Sequence, residues 1–157
     1  AASYVLHDSI LPKLILQMYG AKIGENVRIN RWIILHATNN DFSNLTIGND
    51  VHVGKGVLID LTGKVTIGNR VNIGMFSRIL THQNIGDSRL RNVYPPIKGN
   101  VVIPDDVVIA SHAILLFPTK LAENMLVSAG SVVKGEYDSP CVLVGNPARK
   151  SRSISQE

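Results

Sequence analysis

Aliphatic residues recur at every sixth position along most of the chain. The clearest run reads Ile67-Gly68-Asn69-Arg70-Val71-Asn72, then Ile73-Gly74-Met75-Phe76-Ser77-Arg78, then Ile79-Leu80-Thr81-His82. Each six opens on an aliphatic residue, a small residue often follows it, and a small or β-branched residue usually stands fifth. The spacing starts at Ile23 and Ile29, resumes at Ile47, Val53 and Ile59, and returns after a long break at Ile103, Ile109, Leu115, Leu121, Val127 and Val133. Six is neither the period of a strand nor that of a helix. It fits a short strand plus a corner, three of which close a triangular coil, and such hexapeptide repeats mark parallel β-helices. About five coils are predicted, opened at Ile23, Ile47, Ile67, Ile103 and Leu121, with neighbours about 4.8 Å apart. A β-sandwich carrying chance sixes would not keep phase through so many openings.

Three breaks interrupt the phase: 36–45, rich in Asn, Asp, Ser and Thr; Gly63-Lys64; and 83–100, with Gly86, Pro95-Pro96 and Gly99. These read as corners or inserted loops. Ahead of the first six, Val5, Leu6, Ile10, Leu14, Ile15 and Met18 recur at helical spacing with Pro12 among them. They predict a short amphipathic segment within 1–20, kinked or broken at Pro12, that caps the end of the solenoid. Contact with a membrane surface is the alternative use of such a segment. The solenoid should span 21–152, with loop 83–100, and a polar, disordered tail should fill 153–157.

Composition narrows the class. Hydrophobic residues make up 45% of the chain and charged ones 18%, which excludes a disordered polar tract. Aromatics are only 5%, as suits a core of small branched side chains. A net charge of +4 suits acidic ligands such as nucleotides, phosphates or an anionic membrane, and no nucleic-acid motif accompanies it. The single cysteine, Cys141, permits no intrachain disulfide and points to a reducing, cytoplasmic setting. No apolar run reaches the roughly 18 residues of a membrane span, and no charged stretch leads into an apolar core as in a secretory signal.

The sixes, the loop after His82, and the ending SAGSVVKGEYDSPCVLVGNPARK resemble the hexapeptide-repeat acyltransferases with a left-handed β-helix. Within these, the chain is most similar to the sugar O-acetyltransferase branch, and the opening LQMYGAKIGENVRI resembles the exopolysaccharide enzymes most. The likeness covers about residues 10–152. It implies a left-handed prism, a homotrimer, acetyl-CoA as acyl donor in a groove between adjacent prisms, a sugar or glycan acceptor, and a base beside an extended loop. That base is His82. The cofactor groove falls around Ser111, Ala129 and Gly130, with Lys134, Asn146, Pro147 and Arg149 toward the nucleotide end. The chain departs from the family pattern at Pro104, Val108, Ala110, Ser128 and the turn Leu116-Phe117-Pro118-Thr119.

Acetyl transfer from a thioester to a hydroxyl needs a base, and imidazole titrates in the right range. His82 stands at a corner just before the long loop. Asn84 and Asp87 are candidates to orient it or to contact substrate. His36 lies on the third side of coil one and His82 on that of coil three. The two are therefore expected roughly 10 Å apart, bordering one site without bonding. Asn39, Asn40 and Asp41, in the loop beside that face, are candidates for sugar hydroxyls. His7, His52 and His112 read as surface or packing residues, and Cys141 as a small buried one. The five histidines lie too far apart in sequence for the three-histidine zinc site that the same prism carries in carbonic anhydrases, so no metal is expected. An amino sugar acceptor and a non-catalytic scaffold are the rival functions.

Overall fold

The computed structural model describes residues 10–30, 33–36 and 41–154. Helix α1 (Ile10–Met18) comes first. Pro12 falls in its first turn, where a missing N–H removes no helical bond, so the helix runs through Pro12 unbroken. Leu16 is buried on the solenoid end, and the Lys13 Nζ donates to the Gly24 carbonyl at 2.6 Å. The outer side, with Ile10, Leu11, Leu14 and Met18, is exposed. Residues 1–9 of the expected cap lie outside the described residues. No described helix is long and apolar enough to cross a membrane.

Coil one holds β1 (Lys22–Ile23), β2 (Arg28–Ile29) and β3 (Ile34–His36). Coil two holds β4 (Leu45–Ile47), β5 (His52–Val53) and β6 (Leu58–Asp60), and coil three β7 (Val65–Ile67), β8 (Asn72–Ile73) and β9 (Arg78–Leu80). The long loop starts with β10 (His82–Gln83) and returns through β11 (Ile97–Lys98), paired antiparallel. Coil four follows with β12 (Val101–Ile103), β13 (Val108–Ile109) and the start of β14 (Ile114–Lys120), which turns a corner into coil five. Coil five continues through β15 (Leu126–Val127) into β16 (Val132–Glu136), and β17 (Cys141–Gly145) adds a sixth rung.

All rungs on a face pair in parallel, so like positions stack. Ile23, Ile47, Ile67 and Ile103 form one inward column. Leu35, Ile59, Ile79, Leu115 and Val133 form another. Ile29, Val53, Ile73, Ile109, Val127 and Leu143 form the third. The fifth residue of each six also points inward: Val51, Val71, Val107 and Met125 are buried, as is Cys141. Each buried aliphatic contributes about 1.5–3 kcal/mol.

The expected parallel solenoid is therefore present, with about six turns rather than five. The sixth is incomplete, and its opening position, next in register after Leu121, carries Tyr137, half-buried against the core, instead of an aliphatic residue. Among the described residues no further coil packs above it, so the aliphatic column on this face ends at Leu121. β18 (Ala148–Ser153) instead folds back antiparallel on β17 and buries Ala148. The tail expected to be disordered from 153 is thus paired through Ser153, and the Ile154 N–H donates to the Pro140 carbonyl at 3.2 Å. Residues 155–157 lie outside the described residues.

The edges of the prism differ in kind. Between the first and second faces the same turn recurs, with Asn26, Asp50, Arg70, Asp106 and Asn124 all at φ of 51–58°. Coils approach so closely there that a Cβ on Gly68 would lie 2.7 Å from the Pro104 carbonyl carbon. The Asn49, Asn69 and Asp105 side chains each accept the backbone N–H of the coil before at 2.8 Å. The third edge, where β3, β6 and β9 end, carries the inserted segments instead.

Candidate active site

The third edge gathers three chemically active side chains. β3 pairs with β6 so that His36 lies beside Asp60, and β6 pairs with β9. His82 follows two residues after β9, where the chain turns into the loop. Its Nδ1 lies 2.6 Å from the Asp60 Oδ2. Asp60 is 2% exposed, the one carboxylate among the described residues to be buried. Burial pushes its carboxyl up. Hydrogen bonds from His82, from the Thr62 N–H and hydroxyl, and from the Thr81 N–H outweigh that and hold it well below the usual carboxylate range. An ionised carboxylate only accepts, so His82 Nδ1 carries a proton, and in the neutral ring Nε2 is the nitrogen with the free lone pair. Thr81, also buried, braces the turn: its hydroxyl donates to the Asp60 carbonyl and accepts from the Gly63 N–H, both at 2.9 Å.

His36 lies closer than the coil count suggests. Its ring stacks on that of His82, centroids 5.3 Å apart and planes 16° apart. The expected separation of roughly 10 Å counted backbone spacing alone. It ignored that both side chains stand out from the same edge and lean over Asp60. The orienting partner of His82 is likewise not Asn84 or Asp87. Asn84 uses its Oδ1 to accept the Gly86 N–H within the loop, and Asp87 is exposed. Asn84 does line a cavity of about 310 Å³ with Thr62, His82, Gln83, Ile97 and Lys98. Asn39 and Asn40 lie outside the described residues. Asp41 accepts from the Ser43 N–H and turns its own loop.

Ligand atoms of His36, Asp60 and His82 all lie within 4.8 Å of one another, a grouping the sequence spacing had argued against. The donor set does not suit a metal. Asp60 Oδ1 already accepts the Thr62 N–H and hydroxyl, and Oδ2 accepts Thr81 N–H and His82. No lone pair of the carboxylate is left to coordinate.

The residues expected to hold the cofactor cluster elsewhere. Ser111 sits on the second edge, between β13 and β14, and its carbonyl accepts the Gly130 N–H at 3.1 Å. Ala129 and Gly130 occupy the same edge one coil on, with open space where a Gly130 Cβ would be. Phe76 and His112 stack there, centroids 5.3 Å apart. Lys134 is exposed on β16, and Asn146, Pro147 and Arg149 lie exposed at the β17–β18 turn. Within one chain the width of the third face, about 10–15 Å, separates Ser111 from His82.

No protein-family model matches the chain. It is 35% identical over 63 residues to a 2,3,4,5-tetrahydropyridine-2,6-dicarboxylate N-acetyltransferase of Clostridium perfringens, a match covering 40% of this chain and 27% of that protein. The chain thus spans about a quarter of the length of the curated relatives it matches. Among solved structures it superposes on a hexapeptide-repeat acetyltransferase of Vibrio cholerae with TM-score 0.83 and 22% identity, over 95% of this chain and 82% of that one. That protein has also been crystallised with acetyl-CoA. A galactoside acetyltransferase in complex with coenzyme A aligns with TM-score 0.78 and 23% identity, over 92% and 70% of the two chains. The fold is that of the hexapeptide-repeat acetyltransferases.

Proposed function

We propose that the chain transfers an acetyl group from acetyl-CoA to a hydroxyl of a sugar acceptor, with His82 as general base. The observation that carries this reading is the 2.6 Å pair of His82 with buried Asp60 at the mouth of the loop cavity. In the mechanism, the acceptor oxygen attacks the thioester carbonyl carbon as its proton passes to His82 Nε2. Asp60 holds the ring in the correct tautomer and offsets the imidazolium charge. The tetrahedral intermediate then collapses, the C–S bond breaks, and Nε2 returns the proton to the departing thiolate. No covalent enzyme intermediate is needed, and Cys141, buried inside the solenoid, has no part.

The donor is assigned to acetyl-CoA on the likeness to folds crystallised with it and with coenzyme A. The site is proposed to be completed by a homotrimer. Two features support this. The cofactor residues stand on a different edge from His82, and the third face carries outward aliphatics, with Ile34 exposed and Leu58, Ile114 and Val132 half-buried. A neighbour's second edge, with Ser111, Ala129 and Gly130, would then face His82. Leu90, Val93 and Tyr94, exposed at the loop tip, give that neighbour apolar contact. Surface-polysaccharide synthesis in the cytoplasm is the setting that the sequence resemblance favours.

An amine acceptor is the second reading, favoured by the N-acetyltransferase relative. The test is thermal unfolding with and without acetyl-CoA, followed by thiol release with panels of sugars and amino sugars. Acetyl-CoA at 100 times its dissociation constant should stabilise by about 2.7 kcal/mol. No shift at millimolar acetyl-CoA would mean a different acyl donor or no donor at all, and would move the scaffold reading to the front.

A further inference from the structure

The cavity beside His82 does not end at the base. Thr62 and Lys98 form a wall shared with a second cavity of about 340 Å³, which adds Asn44, Gly63, Lys64 and Asn100. Each lies at the lower end of the size range of small-ligand sites. Their chemistry differs. The first is lined by His82 with Pro96 and Ile97, whereas the second is lined by two lysines and no acidic residue. Neither Lys64 nor Lys98 has an acidic partner among the described residues. The Asp60 carboxylate, bonded to His82 of the first cavity, is buried and engaged by Thr62, Thr81 and His82.

The backbone fixes both lysines relative to the base. Lys98 is the direct antiparallel partner of His82, so their side chains stand on one side of the ladder with Cβ atoms about 5 Å apart. Lys64 is held by its own N–H, which donates to the Asn100 Oδ1 at 3.1 Å, and by its carbonyl, which accepts the Val101 N–H. The floor between them is rigid and close-packed. A Cβ on Gly63 would come within 2.1 Å of the Gly99 carbonyl oxygen, so only glycine fits. The Asn100 side-chain amide nitrogen donates to no described residue.

We propose that this second cavity binds a phosphoryl group carried by the acceptor, making the acceptor a sugar phosphate or nucleotide-linked sugar rather than a free sugar. The inference rests on the acetyl-transfer reading for its acceptor but not for the anion site. Two lysines that line one cavity, neither with an acidic partner among the described residues, suit a multiply charged group, for which lysine acts as a point charge. The shared wall puts the phosphoryl group within about one sugar ring of His82. The charge of the acceptor then anchors it while a ring hydroxyl meets Nε2.

The test uses probes that need no knowledge of the sugar. Binding of orthophosphate, pyrophosphate, uridine diphosphate and glucuronate is measured by calorimetry on the full chain. The set comprises the native protein, K64Q, K98Q, the double variant, and K22Q as a surface control on the first face. At least one phosphoryl probe should bind, with affinity falling as salt rises and weakening at least tenfold in the double variant but not in K22Q. Orthophosphate alone would point to a sugar monophosphate, and pyrophosphate or uridine diphosphate to a nucleotide-linked sugar. Absence of phosphoryl binding at millimolar concentration, equal binding of glucuronate, or full affinity in the double variant would overturn the proposal. Acetyl-CoA binding is recorded on the same samples. If it is present without phosphoryl binding, this inference falls and the transferase reading stands. If phosphoryl binding is present without it, the transferase reading falls and the anion site stands.

Discussion

The first and third edges of the prism are built from the same chain period and do opposite things. On the first edge every coil repeats one turn, with residues 26, 50, 70, 106 and 124 at almost the same positive φ and side-chain amides or carboxylates linking coil to coil. Arg70 pairs with Asp106 there at 2.7 Å, an exposed contact that adds little. On the third edge no two coils agree. Coil one ends in His36, coil two in Asp60, and coil three runs past Leu80 into His82 and the loop. Uniform repetition builds the scaffold. Abandoning the repeat at one edge brings an acid and two imidazoles together, one of the imidazoles lining a cavity with a lysine.

Substitutions can break that contrast, and the largest effect belongs to the third edge. His82→Ala should lose on the order of 10²–10⁴ in turnover while keeping its fold and its acetyl-CoA shift. Asp60→Asn should cost less, on the order of 10- to 100-fold in kcat, because the base remains and loses only its orientation and countercharge. A first-edge substitution should invert the pattern. Gly68→Ala puts a Cβ 2.4 Å from the Asp105 Oδ1 and 2.7 Å from backbone, so it should lower stability by about 1–3 kcal/mol with normal turnover per folded molecule.

Two smaller effects sharpen the comparison. His36→Ala should raise KM by up to about tenfold, the worth of one lost ring contact, with kcat nearly unchanged in steady-state assays. Acid unfolding should separate Asp60 from the rest. Its carboxyl is held lower in the folded state than in the unfolded chain, so its contribution is complete above about pH 4 and is lost as pH falls toward the folded value. The native protein should therefore lose stability below about pH 4 more steeply than Asp60→Asn, as followed by melting temperature against pH.

Much of this architecture was readable from the chain. The sixes identified the solenoid because inward residues stack on their equivalents, so phase alone reports the core. The position of His82, at a corner where the long loop begins, was legible because the period stops there. Asp60 was not, although it stands one residue after the opening Ile59, beside a column of aliphatics. The signal was an acid followed by Thr62 and Gly63 at a corner, but its meaning depends on lateral stacking against β3 and β9, which one-dimensional spacing does not carry. The closeness of His36 to His82 was missed for the same reason: side-chain direction at an edge, not coil count, sets the distance. The sixth turn was missed because its opening position carries Tyr137 rather than an aliphatic residue, so the pattern of sixes does not register it.

The most direct test of the account is the rate of thiol release from acetyl-CoA, with a responsive sugar acceptor, by the native protein and by His82→Ala. The account predicts a loss of at least 10²-fold in kcat with acetyl-CoA binding and melting temperature retained. Near-native turnover in the variant would contradict it.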